Sequence, residues 1–534
     1  IGSLNWNNGN INVAPMFVNV ENGDFNLLAS SRLINAGHPD STDSDGTRSD
    51  IGAYSYYNTY SGPTWYVKTD GSDLTGKGSS EEPFGSIQSA INFSDSGDSV
   101  SVYAGTFQER IHVGQKDIDI VGAGMDQTII DGELLGMAVV LEHSDSYVEG
   151  FTITNGYREG YVGNGMNLWQ SDATIKNCRF INNKDGHLGI GATNDAKFVN
   201  CLFLEQNETS WPINIDNGNR GGDFINCLID ANGRYEAFIA NGYPSLMNCT
   251  VFNYTNVAYA AGGPGTAKIF NSVFFPKHGY PDATVAYSEN IDNINIVIEN
   301  SIFPEEGVGH STETGSVTYG ETNITGYPVF VDTTTNNYRL GDLSPAISAG
   351  ASTFTIDGVT YNAPGNDIEG NVRPNPSGSN PDMGAYESPR GLDPSYDGPV
   401  WYVEAPGVPY ANGGPGAPYS TIADGIAAAE DGDTVFVREG TYTESIDFGG
   451  KDIVVVGEDR EATIIDGGQS GSVARFQNGE TNEAVLENFT LINGSDTQGG
   501  GVYITTASPT LRNLIISQNS ASSGGGISID NQCN

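Results

Sequence analysis

Positive charge is scarce in this chain. Its 534 residues carry 23 Lys and Arg against 66 Asp and Glu, a formal net charge of −43. Binding to nucleic acid needs a basic patch, and that deficit argues against it. It argues equally against anionic membranes and polyanionic ligands, unless divalent cations intervene. The balance suits a salty, calcium-containing exterior, although plain solubilisation accounts for it too. Long apolar runs are also missing: no stretch approaches the ~18 residues of a membrane-spanning helix. Cysteine is rare, five in all. None sits in a Cys-x-x-Cys pair, the usual spacing of a zinc ligand set.

Glycine is abundant, with 70 residues, and 37% of the chain is hydrophobic. A core can therefore be buried, and the Gly, Asn, Ser and Thr content points to many turns between short strands. The sequence repeats itself on two scales. Gly62-Pro63-Thr64-Trp65-Tyr66-Val67 returns as Gly398-Pro399-Val400-Trp401-Tyr402-Val403, and Pro83 to Gly132 aligns without a gap onto Pro418 to Gly467. A second element repeats separately: Pro15-Met16-Phe17-Val18 matches Pro328-Val329-Phe330-Val331, and Asp50-Ile51-Gly52-Ala53-Tyr54 matches Asp382-Met383-Gly384-Ala385-Tyr386. An opening and a closing element thus alternate. On this reading residues 1–61 are the C-terminal end of a preceding module, 62–390 a complete module, and 398–534 the N-terminal part of a further one. The chain is then a segment of a longer protein.

The short repeat predicts the fold. An Asn recurs at positions 177, 200, 226, 248, 271 and 300, in steps of 22 to 29 residues. Two residues before it stand Ile175, Phe198, Phe224, Leu246, Ile269 and Ile298. One after it stand Cys178, Cys201, Cys227, Cys249, Ser272 and Ser301, and three after it Phe180, Phe203, Ile229, Val251, Phe274 and Phe303. Period-two alternation repeated in register describes the coils of a β-solenoid, with like residues stacked in columns. The Asn residues at the bend can pair amide to amide along the stack. Ile87, Ala90 and Ile91 share one helical face, as do Ile422 and Ile426, which fits a short helix capping the first coil of each module.

The run Trp65-Tyr66-Val67, Pro83-Phe84-Gly85-Ser86-Ile87, Gly97-Asp98-Ser99-Val100, Gly105-Thr106-Phe107 and Ile129-Ile130-Asp131-Gly132 resembles the opening of pectin-lyase-like β-helix repeat proteins. The closing element, Ser344-Pro345-Ala346-Ile347, Arg373-Pro374 and Asp382-Met383-Gly384-Ala385-Tyr386-Glu387, resembles the end of the choice-of-anchor Q type. The resemblance implies an all-β, right-handed parallel β-helix (β-solenoid) in tandem modules with short N-terminal capping helices. It also implies an exported protein, extracellular or at the cell surface. It leaves the activity open, because this scaffold hosts lyases, hydrolases, adhesins and passive spacers alike.

Four groups of residues are candidates for chemistry. The Cys column reads as apolar packing, with a disulfide or metal role as the alternative; Cys533 stands apart from it. Asp43, Asp45 and Asp50, and equivalently Asp367, Glu369 and Asp382, offer hard oxygens to Ca²⁺. The alternative is a turn held by Arg48 or Arg373. Lyase chemistry needs a base, an acid and a cation facing the substrate acid, and the candidates are Arg179, Lys184, His187, Lys197 and Arg220. Trp169, Trp211 and Tyr243, with Tyr157 and Tyr161, can stack on sugar rings if they face one groove. The preferred reading is an adhesive or structural module that binds a polysaccharide or cell-surface glycan alongside further β-helix modules of the parent chain. The alternative is a polysaccharide lyase or glycoside hydrolase acting in 62–390.

Overall fold

The asparagine of each repeat turns the chain. All six lie in the left-handed region, with φ between +47° and +54°, where Asn is tolerated far better than branched residues. The bend separates two short strands, as at Thr174–Lys176 and Arg179–Ile181, and a longer turn leads to a third, Leu188–Gly191. Iterating this path stacks three parallel sheets into a right-handed parallel β-helix of about 14 turns over the whole chain. The computed structural model describes residues 10–161, 163–191, 195–204, 212–215, 221–231, 239–240, 243–254, 257–261, 265–277, 284–288, 295–304, 316–341, 344–356, 358–389, 398–405, 413–415 and 418–530.

The chain forms two units. The first comprises Ile1–Pro328, Gly350–Pro374 and Pro381–Glu387; the second comprises Val329–Ala349, Asn375–Asn380 and Ser388–Asn534. Among the described residues the first unit has parallel sheets of eleven, ten and eight strands, and the second has sheets of five, four and four. Inside the first unit the predicted columns stand in register: Ile175 faces Phe198, which faces Phe224, and Phe180 faces Phe203. The Phe180 and Phe203 ring centroids lie 4.9 Å apart, and those of Phe198 and Phe224 4.6 Å apart, both nearly parallel. Each such ring contributes about 2 kcal/mol of burial. Cys178, Cys201, Cys227 and Cys249 are free and buried in the neighbouring column.

The module opening repeats because each of its residues has a fixed partner. Helix α1 (Ile87–Phe93) is capped by Ser86, and its residues Ile87, Ala90 and Ile91 close the first coil. Glu109 accepts from the N–H groups of Ile87 and Gln88 at 2.7 and 3.0 Å. Lys116 Nζ donates to the carbonyls of Ile91 and Ser94 at the other end. Trp65 Nε1 donates to Asp98 Oδ2 at 2.9 Å. In the second unit Glu444, Lys451 and the Trp401–Asp433 pair do the same around helix α2 (Ile422–Ala428).

The closing segment lies along the asparagine bends and breaks their ladder. Asn200 Nδ2 donates to Asn177 Oδ1 and Asn226 Nδ2 to Asn200 Oδ1, both at 3.1 Å, and Asn271 Nδ2 donates to Asn248 Oδ1 at 3.4 Å. Between Asn226 and Asn248 the chain itself intervenes. Asn226 Nδ2 also donates to Asn366 O (2.7 Å), and Asn248 Nδ2 donates to Asp382 O (3.1 Å). Arg373 is buried there, with Nε on Glu387 Oε2 at 2.8 Å, Nη1 on Asn226 Oδ1 at 3.0 Å and Nη2 on Gly384 O at 3.0 Å. Beyond it the hairpin Thr353–Ile356 and Val359–Asn362 packs Phe354 on Phe270 and Met247, over the outer face of the first sheet.

Candidate binding groove

The third sheet of the first unit carries a large concavity. Five of its strands are β1 (Ile111–Gly114), β2 (Val139–Glu142), β3 (Met166–Trp169), β4 (Leu188–Gly191) and β5 (Ile213–Ile215). Alternation turns Ile111, Val139, Met166, Leu188 and Ile213 inward. It turns His112, Val140, Asn167, Gly189 and Asn214 outward in one register column, and Gly114, Glu142, Trp169 and Gly191 in the next. The glycines present no side chain, and Gly189 and Gly191 are buried beside the exposed Trp169 ring. Walls rise from residues 12–16 and 30–32 on one side and from the turns at 132–137 and 158–161 on the other, enclosing about 1280 Å³.

The groove combines apolar faces with charge. Trp169 is 45% exposed and Tyr161 48%, and Met16 and Leu135 also line it with exposed side chains. The Arg158 guanidinium lies 3.8 Å over the Tyr161 ring, a cation–π contact that holds both. Arg110 Nη1 donates to Leu135 O at 2.7 Å. On the floor, His112 Nε2 lies 3.0 Å from Glu142 Oε2. The His112 ring is held below its ordinary pKa, first by burial and then by the charge of Arg32, against the pull of Glu142. Burial also lowers the Arg32 guanidinium. Helix α1 fixes this corner: His112 N–H donates to Gln88 Oε1 at 2.8 Å, and Gln88 Nε2 donates to His112 O at 3.3 Å. The amide side chain thereby covers the exposed edge of β1. Burial pushes the Glu109 carboxyl up to about 7. Its twin Glu444 is raised by the same cause in the same capping position, so Glu109 belongs to the lid and not to a reaction.

Of the residues predicted from sequence, Trp169 and Tyr161 lie in this groove. Tyr243 is half-buried against the core instead, and Trp211 and Arg220 lie outside the described residues. The basic candidates do not converge. Arg179 is on the second sheet, in an ion pair with Asp126 at 2.7 Å. Lys197 is on the first sheet, in register with Asp223. Lys184 sits 4.1 Å over the Tyr157 ring. His187 is fully buried, and burial holds its imidazole down at about 3, hence neutral.

The acidic clusters are internal turns. Asp43 accepts from Ser55 Oγ and Asp50 N–H, Asp45 from Thr47, and Asp50 from the N–H groups of Asn35 and Tyr56. Asp367 accepts from the N–H groups of Glu369, Asn371 and Glu387 and from the Asn371 amide. Asp382 is buried beside Arg373, and Glu369 is exposed. Among the described residues no three His, Cys, Asp or Glu side chains are grouped to hold a metal ion.

No family model and no curated protein matches the chain. Solved structures do. A pectate lyase aligns over 61% of this chain and 96% of its own, at 16% identity and a TM-score of 0.40. An alginate lyase aligns over 84% and 78%, at 12% identity and 0.25. The pectin methylesterase of Aspergillus niger aligns over 53% and 91%, at 14% identity and 0.32. At these values the likenesses say nothing about chemistry, and the groove has to be read from its own residues.

Proposed function

We propose that this chain is an extracellular or cell-surface glycan-binding protein, non-enzymatic, whose third-sheet groove takes a saccharide chain lying across successive coils. The observation that carries the reading is the exposed Trp169 ring in a groove that the Arg158–Tyr161 stack also lines. Sugar rings have apolar faces and hydroxyl rims. An aromatic platform takes the first, and His112, Glu142, Asn167 and Asn214 present hydrogen-bonding groups to the second. Strand spacing of ~4.8 Å repeats these groups along the coil axis, as a repeating polymer requires. The likeness of the closing segments to the choice-of-anchor Q type supports the surface location.

One observation favours a second reading. His112 and Glu142 form a hydrogen-bonded acid–base pair beside Arg32, the parts a lyase or hydrolase needs. One experiment separates the two. The chain is titrated with pectic, alginate and neutral polysaccharides, with and without Ca²⁺, while binding, reducing ends and unsaturated-uronate absorbance are followed together. Saturable binding that Trp169→Ala weakens about tenfold, with both chemical signals flat, is the expected result. Turnover abolished by His112→Ala would replace it with the enzyme. Binding to no polysaccharide, or binding indifferent to Trp169, would remove the groove from the account.

A further inference from the structure

The two copies of the closing segment meet different surroundings. In the second, Asp382, Met383 and Ala385 are fully buried. Asn248 Nδ2 donates to Asp382 O at 3.1 Å, Gly384 N–H to Asn271 O at 2.7 Å, and Ala385 N–H to Thr250 Oγ1 at 3.0 Å. A Cβ on Gly384 would come within 2.8 Å of both Thr250 Oγ1 and Val273 Cγ2, so the bend is approached as closely as glycine permits.

The first copy has the same motif on the same turn. The Asp43 N–H donates to Thr47 O as that of Asp367 donates to Asn371 O, both at 2.9 Å. Yet Gly52 and Ala53 are exposed, and Tyr54 is 55% exposed. A Cβ on Gly52 would meet nothing within 4 Å. The N–H groups of Gly52 and Ala53 donate to no described residue. Two adjacent small residues therefore offer a bare row of donors, at the positions that the second copy uses to grip asparagine bends, although φ is +149° at Gly52 and +93° at Gly384.

We infer that residues 50–54 are a docking surface for the asparagine bends of another β-helix module, one that precedes this module in the same polypeptide. The order follows the second copy, where the closing segment comes 80 to 147 residues after the bends it grips. The partner's chemistry also follows it. A bend carbonyl and a threonine hydroxyl accept from Gly52 and Ala53, and an asparagine amide donates to the Asp50 carbonyl.

The test lengthens the chain at its repeat boundary. Residues 62–327 are duplicated directly ahead of Pro15, which aligns with Pro328, and the remainder is kept intact. Hydrogen exchange at the exposed Gly52 and Ala53 is expected to be fast in the 534-residue chain and to slow about tenfold or more in the longer one. Ala53→Arg in the longer chain is expected to restore fast exchange. Fast exchange at both amides while the added coils are themselves protected would overturn the inference. Should the added coils not fold, the unextended chain decides. Ala385→Arg is expected to lower the temperature of the first unit's own unfolding step by several degrees while Ala53→Arg leaves it unchanged. Equal losses would mean that the Ala53 surface is already filled, and would overturn the inference too.

Discussion

Arg373→Met isolates the contact that holds the closing segment to its solenoid. The methionine keeps the volume of the arginine stem and removes three donors at once. Glu387, 0% exposed at its side chain, loses its ion-pair partner. Asn226 Oδ1 and Gly384 O lose a bond each. Removing one member of a buried ion pair costs about 3–5 kcal/mol, because the other charge stays buried without that counter-charge. That figure covers the segment's own opening, since the coils beneath keep their strand ladders. A chain with two units does not melt in one step, so the readout is local: native-state hydrogen exchange at Gly384 and Ala385. Each factor of ten in exchange corresponds to about 1.4 kcal/mol, so both amides are expected to exchange about 100- to 4,000-fold faster. Arg373→Lys keeps the charge but not the fork of donors, and falls between. Less than about tenfold acceleration in Arg373→Met would refute the reasoning, because it would mean that the apolar hairpin around Phe354 and not the arginine holds the segment.

Other consequences are as direct. Asn167→Leu, on the groove floor, is expected to weaken polysaccharide binding while leaving the melting temperature in place, which affinity electrophoresis and calorimetry would check. Burial pushes the Cys178 and Cys227 thiols above their ordinary range, so the four column cysteines are expected to stay silent to a thiol reagent until denaturant is added. With its carboxyl raised to about 7, Glu109 takes up a proton in the folded chain before it does in the unfolded one. Its contribution is therefore fully present below the ordinary carboxylate value and is lost as pH rises towards 7. Glu109→Gln is expected to flatten that part of the stability profile, measured by denaturation from pH 4 to pH 8. Because the carboxylates of Asp43, Asp50 and Asp367 already accept internal donors, chelation is expected to leave the melting temperature unchanged in a scan with and without EDTA.

The architecture was legible wherever a residue's role depends on its neighbours one coil away. Asn177, Cys178 and Phe180 recur because each stacks on its own kind, and the eye finds such columns without coordinates. The capping residues were legible for a related reason: Trp65, Asp98 and Lys116 return in the second copy with their partners. The groove was not legible, because the turn into the third sheet varies in length, so its outward columns do not align on the asparagines. Its residues also come from distant places: Arg32 from the segment ahead of the module, His112 from the first coil, Trp169 from the third strand of its sheet. Nearness in sequence misled the choice of basic residues. Arg179, His187 and Lys197 are close along the chain, but a coil visits all three faces within that distance, so they end on different sides. Trp169 and Tyr161 were found by residue type alone, and the glycines in register beside Trp169 were the missed companion signal.

The way the closing segment grips the bends fixes when it can act. Neighbouring coils close loops of 22 to 29 residues, whereas the segment returns to bends laid 80 to 147 residues earlier. Closing the longer loop costs only about 1.5 kcal/mol more, but it has to wait until every coil from Asn226 onward is wound. A stack that slipped by one coil would offer Arg373 the amide of Asn200 or Asn248 and set Gly384 against the wrong pair of strands. The segment thus reads the number of coils beneath it, and a module fastens only after that count has come out right.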